Sequence, residues 1–289
     1  MKDLGALARD SGTFLMVAMD QRESLRTMLL EHGHPAGDER LAAFKVAVAR
    51  ELSPHASALL VDSEYGWFDR IVDEALVSPR CALIMAVDAL DQQPGKIVED
   101  TSLDRSVDVG AAAARGVEAL KLLVIWRDDH RRAERIVMSQ AFAQLAHEHE
   151  LLAVLEPVVR VTEEEREDAI VTAASELSVT GCDLYKCQVP LGGKGDPAEI
   201  TRWSREIDAA TACPWVVLSQ GVDPDDFPSA VEAACKGGAS GMLAGRAVWT
   251  ATLGANDPTD LLRSVSVPRL GELEAIVDAH ARPWWEKAA

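Results

Sequence analysis

The chain alternates between short, almost wholly apolar runs and longer stretches in which apolar residues recur with the period of a helix. Apolar runs of this length are typical of strands in a parallel sheet whose two faces are both covered by helices. Eight such runs occur, at residues 14–20, 56–62, 81–88, 119–126, 151–159, 183–190, 214–221 and 241–248.

The intervening stretches predict amphipathic helices, most clearly at residues 38–53, 133–149 and 166–181. The last of these ends on Gly181, and glycine commonly ends a helix in the left-handed conformation. Eight strand–helix units in 289 residues predict an α/β protein with a single (β/α)8 TIM barrel, in one domain over residues 1–289. A doubly wound open sheet is the alternative, but its first turn would be rich in glycine, and the sequence MDQRES after the first run contains none.

Charge and hydropathy disfavour several classes of partner. The net charge of −18 repels nucleic acid and anionic membrane surfaces. No apolar run approaches the length of a membrane span, and the opening MKDLGALARDSG lacks the apolar core of a signal peptide, so we expect a cytoplasmic protein. We also expect a homo-oligomer, in which Trp284 and Trp285 form either a subunit contact or a packed tail.

The candidate chemistry lies where the predicted strands end, because the carboxyl ends of the strands carry the active site of such barrels. Lysine is scarce in this chain, yet Lys121 and Lys186 both fall within apolar runs. These ends carry Asp20, Asp62, Asp88, Lys121, Glu156, Lys186, Ser219 and Arg246.

Lys186 stands inside the run DLYKCQVP, between Tyr185 and Cys187. Burial penalises the charged form of a lysine and favours a neutral, nucleophilic amine, whereas a lysine at an exposed strand end would have no such role. Strand alternation places Leu184 and Gln188 on the same side as Lys186.

Two lysines and a carboxylate at one barrel mouth form a coherent set for Schiff-base chemistry. The amine of Lys186 would attack a ketone, and Glu156 would take a hydroxyl proton. The positive charge of Lys121 would lower the pKa of Lys186 and so favour its uncharged amine. A plain buried ion pair is the alternative interpretation of Glu156.

The last two strands suggest where an anionic group binds. Loops after strands seven and eight of these barrels often hold phosphate on backbone N–H groups. The phosphate candidates are Ser219, Gly221, Gly245 and Arg246. A second, distal anion would be held by Gln21, Arg22 and Arg160, unless these side chains pair with surface carboxylates.

Several segments resemble a known group of enzymes, the class I aldolases of the tagatose-1,6-bisphosphate aldolase and sulfofructosephosphate aldolase type. The similar segments are MDQRESLR, ALKLLVIWR, EPVVR, DLYKCQVPLGGKG, VVLSQGV and GASGMLAGRAVW. The resemblance implies retro-aldol cleavage, without metal or other cofactor, of a ketose 1-phosphate, either 6-deoxy-6-sulfofructose 1-phosphate or a ketohexose bisphosphate. The products would be dihydroxyacetone phosphate and a three-carbon aldehyde.

The same resemblance implies roles for individual residues. Lys186 would be the Schiff-base lysine, Glu156 the acid and base, Lys121 the second lysine, and Asp20 the group that orients substrate hydroxyls. Ser219, Gly221, Gly245 and Arg246 would hold the phosphate of dihydroxyacetone phosphate. Gln188 departs from the family pattern, which has a glutamate there, so one pocket carboxylate is expected to be replaced by a neutral amide.

Two other functions remain open at this point. A magnesium-dependent TIM-barrel carbon–carbon lyase would use Asp20, Asp62, Asp88 and Glu156 as oxygen ligands. A non-catalytic barrel that binds a sugar phosphate is the other alternative.

Overall fold

Eight parallel strands close into a barrel in the computed structural model, which describes residues 3–287. The barrel strands are β1 (Phe14–Ala18), β2 (Ala58–Val61), β3 (Ala82–Ala86), β6 (Val117–Trp126), β7 (Leu152–Val159), β8 (Leu184–Gln188), β9 (Trp215–Leu218) and β10 (Gly241–Ala244). Strands β4 (Asp88–Asp91) and β5 (Asp100–Leu103) form a separate hairpin. Their order around the ring is β1-β10-β9-β8-β7-β6-β3-β2. Each predicted apolar run supplies one of these strands, and the predicted (β/α)8 TIM barrel is confirmed. The predicted domain limits, residues 1 and 289, lie outside the described residues.

Helices lie between and after the barrel strands along the chain. They are α1 (Glu23–Glu31), α2 (Asp38–Leu52), α3 (Trp67–Asp73), α4 (Val109–Ala114), α5 (Arg132–Glu148), α6 (Arg166–Leu177), α7 (Pro197–Ala210), α8 (Phe227–Lys236), α9 (Arg246–Trp249), α10 (Thr259–Leu261), α11 (Val267–His280) and α12 (Trp284–Lys287). The three predicted amphipathic helices correspond to α2, α5 and α6. Gly181 has φ of 103° and ends the short 3-10 turn that follows α6, as predicted. Among residues 3–287, no helix has the length and apolar character needed to cross a membrane.

Strand alternation divides the core into two layers. Leu184 lies in the barrel interior with residues such as Phe14 and Val216, whereas Tyr185 and Cys187 pack between the barrel and the helices. The predicted orientation of the strand that carries Lys186 is therefore confirmed. Each fully buried Leu or Phe stabilises the fold by about 1.5–3 kcal/mol, so the interior layer holds the strand register firmly.

The C-terminal tail is packed. Trp284 contacts the interior cluster that contains Leu4 and Leu7, and its backbone N–H donates to the carbonyl of Gly12 over 2.9 Å. The ring of Trp285 occupies the space that a side chain at position 12 would need, and it is 47% exposed. A role of these tryptophans in subunit contact stays a prediction.

A two-stranded antiparallel hairpin follows β3 and was not predicted. It consists of β4 (Asp88–Asp91) and β5 (Asp100–Leu103). Arg127, which follows β6, donates from its guanidinium to the carbonyl of Glu99 over 2.6 Å and fixes the hairpin to the barrel mouth.

Candidate active site

A cavity of about 210 Å³ opens at the carboxyl ends of the strands and brings together nearly all of the predicted site residues. The predicted residues that line it are Asp20, Gln21, Arg22, Lys121, Glu156, Arg160, Lys186, Ser219, Gly245 and Arg246. Gly221 is exposed in the turn after β9 and does not contribute to the lining.

Three neighbouring strands present the central side chains. Lys121 projects inward from β6, Glu156 from β7 and Lys186 from β8, and the register pairs Leu123 with Glu156 and Lys186 with Val216. Because alternate residues on a strand face the same side, these side chains point into the barrel without any help from a loop. Rigid strands thus set the geometry of the site.

Lys121 lies among three carboxylates. Its Nζ is 2.6 Å from Asp20 Oδ2, 3.1 Å from Asp88 Oδ1 and 3.1 Å from Glu156 Oε2. Burial alone would lower the pKa of Lys121. The three surrounding negative charges raise this pKa by more than burial lowers it, so the net pKa lies above that of an ordinary lysine. Lys121 therefore stays an ammonium group.

Asp20 is held in its ionised form by the same charges. Burial raises the pKa of this carboxyl, but Lys121, Lys186 and Arg22 lower it more, so the net pKa falls below its usual range. Asp20 is therefore an acceptor of hydrogen bonds from a ligand and not a source of protons.

Lys186 has a different environment from Lys121. It is 4% exposed, and within the described chain its only carboxylate partner at ion-pair distance is Glu156, at 2.7 Å between Nζ and Oε1. Glu156 thus bridges the two lysines, one through each of its oxygens. Lys186 therefore has fewer negatively charged neighbours than Lys121, and it faces the cavity.

Asp62 lies apart from this group, although it also ends a strand. It forms a fully buried ion pair with Lys45 of α2 and accepts a hydrogen bond from Trp67 Nε1 over 3.2 Å. The predicted magnesium site of four carboxylates is therefore wrong, because Asp62 lies apart from the other three. Those three, Asp20, Asp88 and Glu156, surround the ammonium of Lys121.

The cations around the cavity divide into paired and unpaired groups. Arg22 contacts Glu64 Oε1 at 3.2 Å and donates to the backbone carbonyl of Asp88 over 2.7 Å. By contrast, the guanidinium groups of Arg160 and Arg246 have no hydrogen-bonded or ion-paired partner anywhere in residues 3–287. Burial lowers the pKa of Arg246, and Glu156 and Asp20 oppose that effect without cancelling it.

Ser219 and Gly245 lie with Arg246 on the lining. Ser219 is 5% exposed at the end of β9. A side chain at Gly245 would collide with the backbone carbonyl of Ala18, and the amide nitrogen of Gln21 would be 3.1 Å from its Cβ. Gln21 therefore lies close to Gly245, one of the predicted phosphate residues.

Gln188 does not replace a carboxylate of the cavity. Its Oε1 accepts a hydrogen bond from the backbone N–H of Val159 over 2.8 Å, and the side chain is absent from the lining. The expectation of a neutral amide in the pocket is therefore wrong. Gln188 ties β8 to the end of β7.

Sequence reasoning missed two features of the site. Asp88 was recognised as a strand end but not as a partner of Lys121. The hairpin residues Gln92, Lys96, Ile97 and Val98 also line the cavity. The dipeptide Pro94-Gly95, with φ of 70° at the glycine, was the available signal for the turn.

Comparison with known proteins identifies relatives along the whole chain. A tagatose 1,6-diphosphate aldolase 2 of Streptococcus pyogenes is 26% identical, with 96% of this chain and 94% of that protein covered. A tagatose 1,6-diphosphate aldolase of Listeria monocytogenes is also 26% identical, over 98% of this chain and 93% of that protein.

Solved structures share the fold. An archaeal fructose 1,6-bisphosphate aldolase has a TM-score of 0.61 at 17% identity, covering 93% of this chain and 97% of its own. A fructose-bisphosphate aldolase from Slackia heliotrinireducens has a TM-score of 0.68 at 17% identity, covering 96% and 88%. Residues 14–251 match the DeoC/LacD family of aldolases. The chain therefore belongs to the DeoC/LacD aldolase family and is an aldehyde-lyase.

Proposed function

We propose that this enzyme is a class I aldolase that cleaves a ketose 1-phosphate to dihydroxyacetone phosphate and a three-carbon aldehyde through an imine on Lys186. The contrast between the two lysines carries the proposal. Lys121 is surrounded by three carboxylates, whereas Glu156, at 2.7 Å, is the only carboxylate in residues 3–287 that pairs with Lys186, which faces the cavity.

The first half of the reaction follows from that contact. Transfer of a proton from Lys186 Nζ to Glu156 Oε1 frees the amine, which attacks the ketone carbon of the substrate. Glu156 returns its proton to the hydroxyl of the resulting carbinolamine, the hydroxyl leaves as water, and an iminium ion forms beside the ionised Glu156. The iminium withdraws electrons from the neighbouring carbons, so the bond between carbons 3 and 4 weakens.

Glu156 then acts as the base. It takes the proton of the hydroxyl on carbon 4, the bond between carbons 3 and 4 breaks, and the aldehyde leaves while the electron pair remains as an enamine. Return of the proton to carbon 3 and hydrolysis of the imine release dihydroxyacetone phosphate. Asp20, kept ionised, accepts hydrogen bonds from substrate hydroxyls, and Lys121 keeps Glu156 and Asp20 in position.

The phosphate group of the substrate would lie against Ser219, Gly245 and Arg246. The unpaired guanidinium of Arg246 can donate two parallel hydrogen bonds to an oxyanion, which is among the stronger single contacts available. Gly221 does not belong to this set, because it does not line the cavity.

The substrates that fit this scheme are tagatose 1,6-bisphosphate, fructose 1,6-bisphosphate and 6-deoxy-6-sulfofructose 1-phosphate. The relatives named tagatose aldolases support the first of these. The similarity of ALKLLVIWR and EPVVR to sulfofructosephosphate aldolase supports the last.

Borohydride trapping tests the proposal. Incubation with dihydroxyacetone phosphate and borohydride should add one reduced adduct to the peptide that contains Lys186, and Lys186→Arg should abolish both adduct and turnover while the protein stays folded. Lys236→Arg is the matched control, because Lys236 pairs with Glu232 on α8 and does not line the cavity. An adduct on another lysine, or turnover that EDTA abolishes, would contradict the imine mechanism.

A further inference from the structure

The β4–β5 hairpin covers the side of the cavity that lies across the barrel from the proposed phosphate residues. In the ring, β3 and β6 stand opposite β9 and β10, and the hairpin follows β3 directly. Lys186 on β8 and Glu156 on β7 lie between these two sides. A substrate with its phosphate near Arg246 would therefore extend its far end toward the hairpin.

The charges on the lining leave room for a second anion. Among residues 3–287, six cationic side chains and three carboxylates face the cavity, an excess of three positive charges in a protein whose net charge is −18. One phosphate monoester carries about −1.5 to −2 at neutral pH, so it does not neutralise this excess. The cations are Arg22, Lys96, Lys121, Arg160, Lys186 and Arg246.

The pairing of these cations shows which are free to bind the second anion. Lys121, Lys186 and Arg22 are already matched with carboxylates of the protein. Arg160 has a buried Nε without a partner, and the ammonium of Lys96 makes no ion pair with any residue that the structure describes. Of the unpaired cations in residues 3–287, only Arg246 lies at the proposed phosphate pocket, at the start of α9.

The hairpin loop holds the backbone of Lys96 in place while its side chain stays exposed. The amide of Gln92 donates to the carbonyl of Lys96 over 2.6 Å. Val98 packs on the apolar cluster of Ile125, Val158 and Leu218 at the barrel mouth. The loop therefore positions the ammonium at the cavity without using it in the fold.

We propose that Lys96, together with Arg160, binds the second anionic group of the substrate, a tetrahedral oxyanion at the end of the sugar remote from the ketone. This inference rests on the proposed function, and it assigns substrate specificity to a hairpin outside the barrel. A phosphate and a sulfonate present the same kind of acceptor oxygens, and they differ in charge.

Substrate comparison tests the inference. Lys96→Gln should lower kcat/KM by about 10- to 100-fold for tagatose 1,6-bisphosphate and 6-deoxy-6-sulfofructose 1-phosphate, because a charge-assisted contact is lost. Fructose 1-phosphate, which has no second anion, should change less than about twofold. Lys96→Arg should retain most of the activity, and Lys236→Gln is the control for loss of a surface charge. If kcat/KM falls more for tagatose 1,6-bisphosphate, the site prefers phosphate, and if it falls more for 6-deoxy-6-sulfofructose 1-phosphate, the site prefers sulfonate.

The outcomes separate this inference from the proposed function. If dihydroxyacetone phosphate forms no adduct with Lys186, the imine mechanism fails. Titration with inorganic phosphate then tests, independently of that mechanism, whether Lys96 binds an anion. Two bound phosphates are expected in the unmodified protein, with one lost in Lys96→Gln and the other in Arg246→Ala. If the adduct forms but Lys96→Gln changes all three substrates equally or changes none, Lys96 does not bind the distal anion and the aldolase mechanism stands. Two phosphates retained in Lys96→Gln would also overturn the inference.

Discussion

Replacing Lys121 with methionine should lower the free energy of unfolding, because it leaves three carboxylates without their shared cation. The substitution preserves an unbranched side chain of similar length and removes the ammonium that contacts Asp20, Asp88 and Glu156. Breaking a buried ion pair by removing one partner typically costs about 3–5 kcal/mol, because the other charge is left without compensation. Lys121 is 2% exposed, so solvent cannot replace it.

That free energy corresponds to a measurable change in melting temperature. With about 2.1 cal/mol/K per residue, unfolding of 289 residues has an entropy of about 0.6 kcal/mol/K. A loss of about 3–5 kcal/mol should therefore lower Tm by about 5–8 °C at pH 7. Lys236→Met, which removes an exposed lysine, should change Tm by less than about 1 °C.

The pH dependence provides a sharper test than the size of the effect. In the unmodified protein the pKa of Asp20 is lowered on folding, so its contribution to stability is fully present above the unfolded pKa of about 4 and is lost only as pH falls toward the folded pKa. In Lys121→Met the nearest positive charge is gone, and burial should then raise the pKa of Asp20 above its unfolded value. The variant should recover stability relative to the unmodified protein as pH falls from 7 to 5. Calorimetry at these two pH values measures this, and a difference in Tm that is absent at pH 7, or that does not shrink at pH 5, would refute the electrostatic account.

Two further substitutions test the roles assigned to the cavity. Glu156→Gln should keep the fold and lower kcat by about 10²- to 10⁴-fold, measured by release of dihydroxyacetone phosphate, because an amide cannot take the hydroxyl proton; near-normal turnover would mean that another group does. Arg246→Ala should raise KM for dihydroxyacetone phosphate in the condensation direction by about tenfold or more, because a charge-assisted contact to phosphate is lost. An unchanged KM would remove Arg246 from the phosphate pocket.

The barrel could be predicted from sequence because of a simple physical requirement. Strands buried on both faces carry apolar residues at nearly every position, so the eight runs stand out against the helices. The hairpin gives no such signal, since DALD and DTSL are mostly polar and lie near solvent. The apolar run 81–88 predicts that residue 88 ends the third strand, whereas Asp88 begins β4.

The residues at the centre of the site could also be predicted, because strand alternation and position along the strand place them. Lys121, Glu156 and Lys186 needed no knowledge of loops. The surrounding residues depended on contacts between remote segments. Arg22 pairs with Glu64 and Asp88, which no local pattern could reveal.

The central charges depend on one another. Each of three neighbouring strands replaces an inward apolar side chain with an ionisable one, and burying a single such charge would cost several kcal/mol. Glu156 reduces that cost for both lysines, with Oε1 at 2.7 Å from Lys186 and Oε2 at 3.1 Å from Lys121. When Lys186 forms the proposed imine, it exchanges an ammonium for an iminium, so the positive charge beside Glu156 is kept until the bond breaks. Cleavage then turns the iminium into a neutral enamine while Glu156 takes the hydroxyl proton, so the two opposite charges disappear together. A set of groups that is balanced before the reaction therefore remains balanced while it proceeds, and rigid strands can hold it without rearrangement.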